Sequence, residues 1–309
     1  MTIETFQQTL PHGIHLSCRA TGEPGRPVLM FLHGFPEAAF VWDLLLEYFA
    51  LPEHGGYRCV APNLRGFELS SAPQDVKAYR AKYLVQDIAA LIGIVGAGSP
   101  IECLVAHDWG GAVAWNLANQ MPELAKKLAI INSPHPGTFL RELKSNPKQQ
   151  AASAYMNFLI RPDAETLLAE KDYARMWPFF THSAGGAAWL TEGVKNQYRQ
   201  IWNGPSGSPA GAGLVGGCNY YRASPLRPPR PEEPAAASVE LPQTALTVDI
   251  PTLVLWGMDD IALPPELIVG LEQYISDLTL EKVEGASHWI VHEQPELVAE
   301  RLASFLRRH

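Results

Sequence analysis

The chain has 309 residues, of which 47% are hydrophobic and 18% are charged, and it carries a formal net charge of −8. This composition supplies enough apolar side chains for a sizeable core and is too poor in charge for a disordered chain. The acidic balance argues against a general nucleic-acid binder, because such proteins usually present a basic face.

Short apolar runs alternate with amphipathic stretches along most of the chain. The runs that predict buried strands lie at residues 28–32, 57–61, 101–106, 128–132, 252–256 and 278–283. The stretches that predict helices lie at residues 79–95, 110–121, 264–275 and 295–306. Alternation of this kind predicts an α/β fold, in which a mostly parallel sheet is flanked by helices on both faces.

The alternation stops in the middle of the chain. Residues 155–169 and 186–202 predict helices with no strand between them, and residues 203–242 hold eight prolines and six glycines, which is typical of a loop. Aromatic residues run through the whole segment, whereas disordered linkers are usually poor in them. We therefore expect an ordered helical insertion that ends in a long loop.

The sheet pattern resumes at Ile250, which places the insertion inside one α/β domain. We predict a core formed by residues 1–134 and 249–309. Residues 135–248 are predicted to form an inserted, mainly helical cap domain.

Several absences indicate the expected environment of the chain. The sequence has no run of about 18 or more apolar residues that would predict a membrane span, and its first residues lack the basic-then-apolar pattern of a signal peptide. The cysteines, at positions 18, 59, 103 and 218, form no CxxC pair and predict buried free thiols rather than a metal or redox site. We therefore expect a cytoplasmic protein.

The turn between the strand at 101–106 and the next helix carries the strongest chemical signal. Ala106-His107-Asp108-Trp109-Gly110 has the small-x-nucleophile-x-Gly pattern of a nucleophile elbow, with Asp108 at the nucleophile position. The small residues permit a sharp turn, and the start of a helix favours an anion. The simpler interpretation, in which Asp108 only caps the helix, is weakened by the partners described next.

An aspartate nucleophile selects the reaction class. Attack of a carboxylate on an ester would give a labile anhydride, whereas attack on an sp³ carbon gives an alkyl ester that water can hydrolyse. Asp108 therefore favours epoxide opening or displacement of a carbon-bound halide, and it disfavours a plain carboxylesterase.

An acid and a histidine follow Asp108 in the order found in other enzymes with this elbow. The turn after the strand at 252–256 holds Asp259 and Asp260, and His288 follows the last strand. These turns meet at the carboxyl ends of parallel strands. We expect His288 to be a general base oriented by Asp260, with Asp259 as the alternative acid and His292 as the alternative histidine.

The loop after the first buried strand, His33-Gly34-Phe35-Pro36, can direct a backbone N–H group into the same site. Together, the N–H groups of Phe35 and Trp109 would form an oxyanion hole for hydrolysis of the ester. One such donor contributes about 3 kcal/mol to lowering the barrier.

These motifs together resemble the α/β-hydrolase superfamily and, within it, the soluble epoxide hydrolases. The resemblance extends from about residue 11 to residue 306. The segments that carry it are His33-Gly34-Phe35-Pro36-Glu37, His107-Asp108-Trp109-Gly110-Gly111, Trp256-Gly257-Met258-Asp259-Asp260 and Ser287-His288-Trp289. Ala106 stands where the family often has glycine, which predicts only a slightly tighter turn.

The resemblance implies two cap tyrosines that hold the epoxide oxygen and donate a proton to it. Tyr221 lies in a segment similar to the family's N-x-Y-R pattern, with Tyr220 as the alternative. Tyr155 lies seven residues before Pro162, as in the corresponding family helix. Tyrosine suits this role because it stays protonated at neutral pH.

Haloalkane and haloacid dehalogenases share the Asp–His–Asp triad and are the main alternative. One group of haloalkane dehalogenases binds halide through an Asn at the position of Phe35, which has no side-chain donor. Another group uses a cap tryptophan, and the predicted cap contains Trp177, Trp189 and Trp202. Fluoroacetate dehalogenases carry arginines at positions that are Trp109 and Ala112 here, so an anionic halo-acid is poorly supported.

The predicted function is hydrolysis of a small apolar epoxide by water to a vicinal diol, with no metal or organic cofactor. A non-catalytic receptor on the same scaffold is a weaker hypothesis, because the predicted set of reactive groups is complete. The sequence indicates no nucleic-acid partner, and it is compatible with a monomer or a homodimer.

Overall fold

The computed structural model describes residues 2–181 and 187–308, which form an eight-stranded sheet. The strands are β1 (Glu4–Thr9), β2 (His15–Thr21), β3 (Val28–Leu32), β4 (Arg58–Pro62), β5 (Cys103–His107), β6 (Leu128–Ile131), β7 (Thr252–Gly257) and β8 (Leu278–Val283). Their order in the sheet is β1-β2-β4-β3-β5-β6-β7-β8. Strands β3 to β8 run parallel, whereas β1 and β2 pair antiparallel at one edge.

Burial on both faces explains why the central strands are continuous apolar runs. Every residue of β3, β5, β6 and β7 is buried, as expected for a parallel sheet covered by helices on two sides. By contrast, β1 has the sequence ETFQQT and no buried residue. An edge strand of this kind lacks an apolar run, and sequence patterning did not predict β1 or β2.

Helices cover the sheet and fill the segment between β6 and β7. In chain order they are α1 (Asp43–Ala50), α2 (Ala81–Val95), α3 (Asp108–Gln120), α4 (Pro136–Ser145), α5 (Pro147–Ala152), α6 (Tyr155–Leu159), α7 (Ala164–Tyr173), α8 (Trp177–Thr181), α9 (Glu192–Asn203), α10 (Leu214–Ala223), α11 (Ile290–Glu293) and α12 (Pro295–Arg308). The predicted α/β fold with a mostly parallel sheet and a helical insertion is confirmed.

Three predicted elements differ in the structure. The predicted helix at 264–275 is wrong, because the chain forms only the 3-10 helices Pro265–Ile268 and Leu271–Gln273, which Gly270 separates at φ +85°. The stretch at 203–242 is not only loop, since α10 lies inside it. The predicted helix at 155–169 is divided between α6 and α7.

The predicted helix at 186–202 corresponds to α9, which begins at Glu192. Its predicted first residue, Gly186, lies outside the described residues. Within the described part of the chain, no helix is long and apolar enough to cross a lipid bilayer.

Two apolar layers sandwich the sheet. Alternate side chains of β3 point to opposite faces, so that Met30 belongs to one layer and Phe31 to the other. Side chains of α1 and α12 complete the layer that contains Phe31. The opposite layer includes residues of α2 and α3 and continues without a break into the inserted helices, where it contains Trp202 and Tyr221.

Candidate active site

The turn from β5 into α3 holds Asp108 in a left-handed backbone conformation, with φ +49°. Small neighbours make room for this turn. A Cβ atom on Gly34 would lie 2.2 Å from Asp108 Oδ1, and one on Gly110 would lie 2.5 Å from the carbonyl oxygen of Leu32. The sharp turn therefore depends on glycine at both positions, and it presents the Asp108 carboxylate at the carboxyl end of the sheet.

The two oxygens of the Asp108 carboxylate have different surroundings. Oδ1 accepts a 2.7 Å hydrogen bond from the backbone N–H of Phe35. Oδ2 lies 3.7 Å from Nε2 of His288. In addition, the Ser133 hydroxyl donates to the backbone carbonyl of Asp108 at 2.6 Å. The hydrogen bond from Phe35 therefore occupies Oδ1, while Oδ2 faces His288.

His288 is oriented by Asp260. The distance from His288 Nδ1 to Asp260 Oδ2 is 2.7 Å. The buried Asp260 carboxylate also accepts hydrogen bonds from the Asn132 side chain and from the N–H groups of Ala262 and Leu263. Of the two acids in this turn, Asp260 contacts the histidine, while Asp259 lines the adjacent cavity.

The charge of His288 depends on its carboxylate neighbours. Burial alone would lower its pKa, but the Asp260 carboxylate, with smaller effects from Asp108 and Glu37, raises the pKa of His288 to about 9. The free site therefore holds an imidazolium at neutral pH, next to the Asp108 carboxylate.

Tyr155 of α6 and Tyr221 of α10 face the same cavity as Asp108. Their ring centroids are 6.0 Å apart. Burial, together with the negative charges of Asp108 and Asp260, raises the pKa of Tyr155 above its ordinary value. Burial also raises the pKa of Tyr221, and the neighbouring Tyr155 and Asp108 raise it further. Both hydroxyl groups therefore hold their protons throughout the neutral range.

Tyr220 is turned away from this position. Its hydroxyl donates a 3.0 Å hydrogen bond to the backbone carbonyl of Arg65. Its ring packs against the edge of Trp109, which also contacts Tyr221 at a centroid distance of 5.1 Å. Of the two adjacent tyrosines, only Tyr221 lines the cavity that contains His288.

Two glycines allow α10 to approach the core closely. A Cβ atom on Gly216 would lie 2.1 Å from the carbonyl oxygen of Gly66, and one on Gly217 would lie 2.4 Å from the Phe35 ring. The glycines that suggested a loop are therefore what lets this helix place Tyr221 over Asp108.

The predicted oxyanion hole has one donor already in contact with Asp108, namely the N–H of Phe35. Trp109 is the second residue of α3. Backbone N–H groups in the first turn of an α-helix have no partner within the helix, so the Trp109 N–H is available to an oxyanion.

A buried cluster next to the site was not predicted from the sequence. The carboxylate of Glu37 lies 2.6 Å from His292 Nε2 and 3.2 Å from His107 Nδ1, and it accepts a 3.0 Å hydrogen bond from the Tyr198 hydroxyl. Burial would raise the pKa of Glu37, but the two histidines hold it well below its usual range. His292, the alternative histidine, therefore pairs with Glu37, whereas His288 pairs with Asp260.

The cluster also contacts His288, because His107 Nε2 lies 2.9 Å from its backbone carbonyl. The only sequence signal for this cluster was the position of Glu37 directly after His33-Gly34-Phe35-Pro36. Glu37 and its three partners come from four separate segments of the chain.

Two cavities meet at the Asp108 carboxylate. One has a volume of about 340 Å³ and contains His288 and Asp260. The other has a volume of about 250 Å³, with a mostly apolar lining that includes Trp109 and Leu263. Asp108, Tyr155 and Tyr221 line both cavities. In the described part of the chain, no group of His, Cys, Asp and Glu side chains is arranged to hold a metal ion.

Comparisons with known proteins agree with the fold described above. Residues 27–295 match the family model of the alpha/beta hydrolase fold. Epoxide hydrolase 1 of Caenorhabditis elegans is 32% identical over 289 residues, covering 94% of this chain and 67% of that protein.

Solved structures of epoxide hydrolases are also similar to this chain. A structure from a study of novel epoxide hydrolases of the alpha/beta hydrolase superfamily in hot-environment metagenomes is 34% identical, with full coverage of both chains and a TM-score of 0.84. The epoxide hydrolase of Bacillus megaterium, solved with an inhibitor, is 27% identical, with a TM-score of 0.85 over 98% of this chain and all of the other.

Proposed function

This chain belongs to the epoxide hydrolase family of the α/β-hydrolase superfamily, and we propose that it converts an epoxide and water to a vicinal diol through an ester on Asp108. The observation that carries this proposal is the carboxylate of Asp108 at the elbow, lining one cavity together with Tyr155 and Tyr221. A carboxylate is a weak nucleophile, and a proton donated to the ring oxygen lowers the barrier for its attack on an epoxide carbon.

In the first half-reaction, Oδ2 of Asp108 attacks one ring carbon. A bond forms between Oδ2 and that carbon while the bond from the carbon to the epoxide oxygen breaks. Tyr155 and Tyr221 hold the leaving oxygen, and one of them gives it a proton. The product of this step is a hydroxyalkyl ester, and the Asp108 side chain is now uncharged.

Loss of the charge on Asp108 prepares the second half-reaction. The Asp108 carboxylate is one of the groups that raise the pKa of His288, so esterification lowers that pKa. The proton that His288 then gives up can restore the tyrosine. Neutral His288, oriented by Asp260, takes a proton from water as the water oxygen attacks the Asp108 carboxyl carbon.

The attack places a negative charge on Oδ1, where the Phe35 N–H already donates. The N–H of Trp109 completes the oxyanion hole. When the tetrahedral intermediate collapses, Oδ2 leaves with the diol, which takes the proton from His288, and the water oxygen remains in the Asp108 carboxyl group. The second proton of the water passes from this carboxyl group to His288, which restores the starting carboxylate and imidazolium. The residues supply each proton and charge, so the proposed mechanism requires no cofactor.

The first test is product analysis with styrene oxide and 1-bromobutane offered in parallel. The expected result is diol from the epoxide and no bromide. Bromide without diol would instead identify a dehalogenase, the alternative that uses the same triad, and would direct attention to the cap tryptophans.

A labelled-oxygen experiment tests the ester. One turnover in H₂¹⁸O should leave the label in the peptide that contains Asp108 and give unlabelled diol, because the water oxygen enters the carboxylate. The His288→Gln variant should accumulate the ester as a mass increase on the intact protein, and Asp108→Ala should show neither turnover nor a mass increase. Labelled diol in the first turnover would contradict the proposal.

Several coarser features accompany this proposal. We place the boundaries of the cap at residues 135–248, since β6 ends at Ile131 and β7 begins at Thr252.

The four cysteines are free and buried, which is usual in a reducing compartment and supports a cytoplasmic location. All proposed site residues come from one chain, so either a monomer or a homodimer would contain complete sites.

A further inference from the structure

The inserted helix α9 makes two hydrogen bonds to the turn that carries Phe35. The hydroxyl of Tyr198 donates to Oε1 of Glu37 at 3.0 Å. The indole Nε1–H of Trp202 donates to the backbone carbonyl of Pro36 at 2.8 Å. These acceptors belong to the two residues that directly follow Phe35, whose N–H contacts Asp108 Oδ1.

Packing fixes both donors in place. Tyr198 is 0% and Trp202 is 1% exposed, and their rings stack at a centroid distance of 5.2 Å. Phe40, from the core, packs edge-on against Tyr198 at 5.1 Å. A buried hydrogen bond to a charged carboxylate is stronger than one between neutral groups, so the contact with Glu37 is the firmer of the two.

We propose that Tyr198 and Trp202 are positioning residues that hold the Phe35 N–H against Oδ1 of Asp108 for hydrolysis of the ester. The inference rests on the proposed function and extends it, because it makes a helix of the insertion part of the support for the oxyanion hole. Neither side chain lines the cavities that contain Asp108, so each acts through the turn and not on the substrate.

The two half-reactions depend differently on this support. During alkylation, Asp108 loses negative charge, and a donor at Oδ1 therefore does not stabilise the transition state over the free carboxylate. During hydrolysis, negative charge develops on Oδ1, and a misplaced donor raises the barrier. Loss of positioning should therefore slow hydrolysis and spare alkylation.

The test compares Tyr198→Phe and Trp202→Phe with Tyr173→Phe. The control removes another buried hydroxyl of the insertion, which donates to Asn203 at 2.6 Å and does not contact the turn. For the two test variants we expect kcat and KM to fall together by about tenfold. We also expect the ester-bound fraction at steady state to rise, as measured by intact mass.

A merely structural defect would give a different pattern. It would lower kcat without changing KM and would leave the ester-bound fraction as in the wild type. That pattern in the test variants would overturn the inference. So would kinetics and an ester-bound fraction equal to those of Tyr173→Phe, provided that the wild type makes diol. A wild type that forms no diol would instead overturn the proposed function.

Amide hydrogen exchange tests the positioning without any substrate. Residues 33–37 contain the Phe35 N–H, and their exchange should become faster in both variants and remain unchanged in Tyr173→Phe. Exchange at wild-type rates in both variants would overturn the inference even if turnover changed. Equal thermal midpoints of the variants and the control would show that the comparison is made between folded proteins.

Discussion

At the scale of single residues, the charge of His288 links the two halves of the proposed reaction. The pKa of this histidine is about 9 in the free protein, and a base must be neutral to accept a proton from water. The ester on Asp108 removes one of the negative charges that raise this pKa. The same group can thus neutralise a carboxylate first and act as a base later.

This linkage predicts the pH dependence of hydrolysis. The neutral fraction of His288 grows as the pH rises through its pKa in the ester, so the hydrolysis rate should increase with pH and level off below about pH 9. The raised pKa values of Tyr155 and Tyr221 predict no falling limb of alkylation in that range. Single-turnover rates from pH 6 to 9 would check both statements.

Asp260→Asn provides a comparison for this profile. Removing the carboxylate lowers the pKa of His288, so the rise in the hydrolysis rate should move to lower pH. The plateau should also fall, because the imidazole loses a partner that fixes its tautomer. A hydrolysis rate that decreases between pH 6 and 9 in the wild type would contradict the assignment of His288 as the base.

Residue patterns identified only part of the candidate site. Asp108, Asp260 and His288 each follow a buried strand, and parallel strands bring their carboxyl ends to one edge of the sheet. No such pattern predicted the buried cluster around Glu37, because Tyr198 and His292 contact it across sequence separations of 161 and 255 residues. Contacts of that kind depend on how the insertion packs against the core.

At the scale of elements, α10 shows how packing overrides local composition. Glycines and prolines around it favour a loop by propensity. The helix nevertheless forms, because Gly216 and Gly217 permit the close approach to Gly66 and Phe35. The converse holds at residues 264–275, where apolar spacing suggested a helix but Gly270 adopts a left-handed conformation and divides the segment.

The close approach of α10 predicts the effect of adding one methyl group. Gly216→Ala would place a Cβ atom 2.1 Å from the Gly66 carbonyl oxygen. The helix must then shift, which moves Tyr221 away from Asp108 and should slow formation of the ester by tenfold or more. The rate of mass increase in a His288→Gln background measures this step directly.

Gly193→Ala is the matched control for that variant. Gly193 lies in the first turn of α9, and an added Cβ atom there would be 3.7 Å from its nearest neighbour, Thr191 Oγ1. Ester formation should remain at the wild-type rate. Equal effects of the two substitutions would show that the approach of α10 does not position Tyr221.

At the scale of the whole molecule, two buried neutral histidines govern the response to acid. Burial lowers the pKa of His33 and of His135 to about 4. Each ring uses both nitrogens: His33 accepts from the Leu64 N–H, and His135 accepts from the Gly137 N–H at the start of α4. Protonation of either ring would remove an acceptor.

At these two residues, the unfolded chain therefore binds more protons than the folded chain between pH 6.5 and 4. The contribution of these two histidines to the free energy of unfolding should fall as the pH falls through this window and should be retained above it. His288 acts in the opposite direction near pH 6.5, because its raised pKa keeps it protonated in the folded chain while the unfolded histidine is about half protonated there. Below about pH 5.5 it is protonated in both states and adds little slope. Urea unfolding at several pH values measures the slope.

His135→Asn isolates one of these contributions. Asparagine can still cap α4 but does not titrate, so the loss of stability between pH 6.5 and 4.5 should be smaller than in the wild type. His15→Asn, at an exposed histidine, serves as the comparison. An unchanged pH slope in His135→Asn would contradict the assignment.

The apolar layer that passes without interruption from the sheet into the inserted helices constrains how this protein can be recombined. Tyr221 and Trp202 share that layer with Met30 and Leu104 of the sheet. An insertion transplanted from a relative would meet a foreign surface beneath it and leave voids or overlaps there. A productive chimaera would therefore exchange the lid together with the side chains it rests on, and heating should melt the two as one cooperative unit.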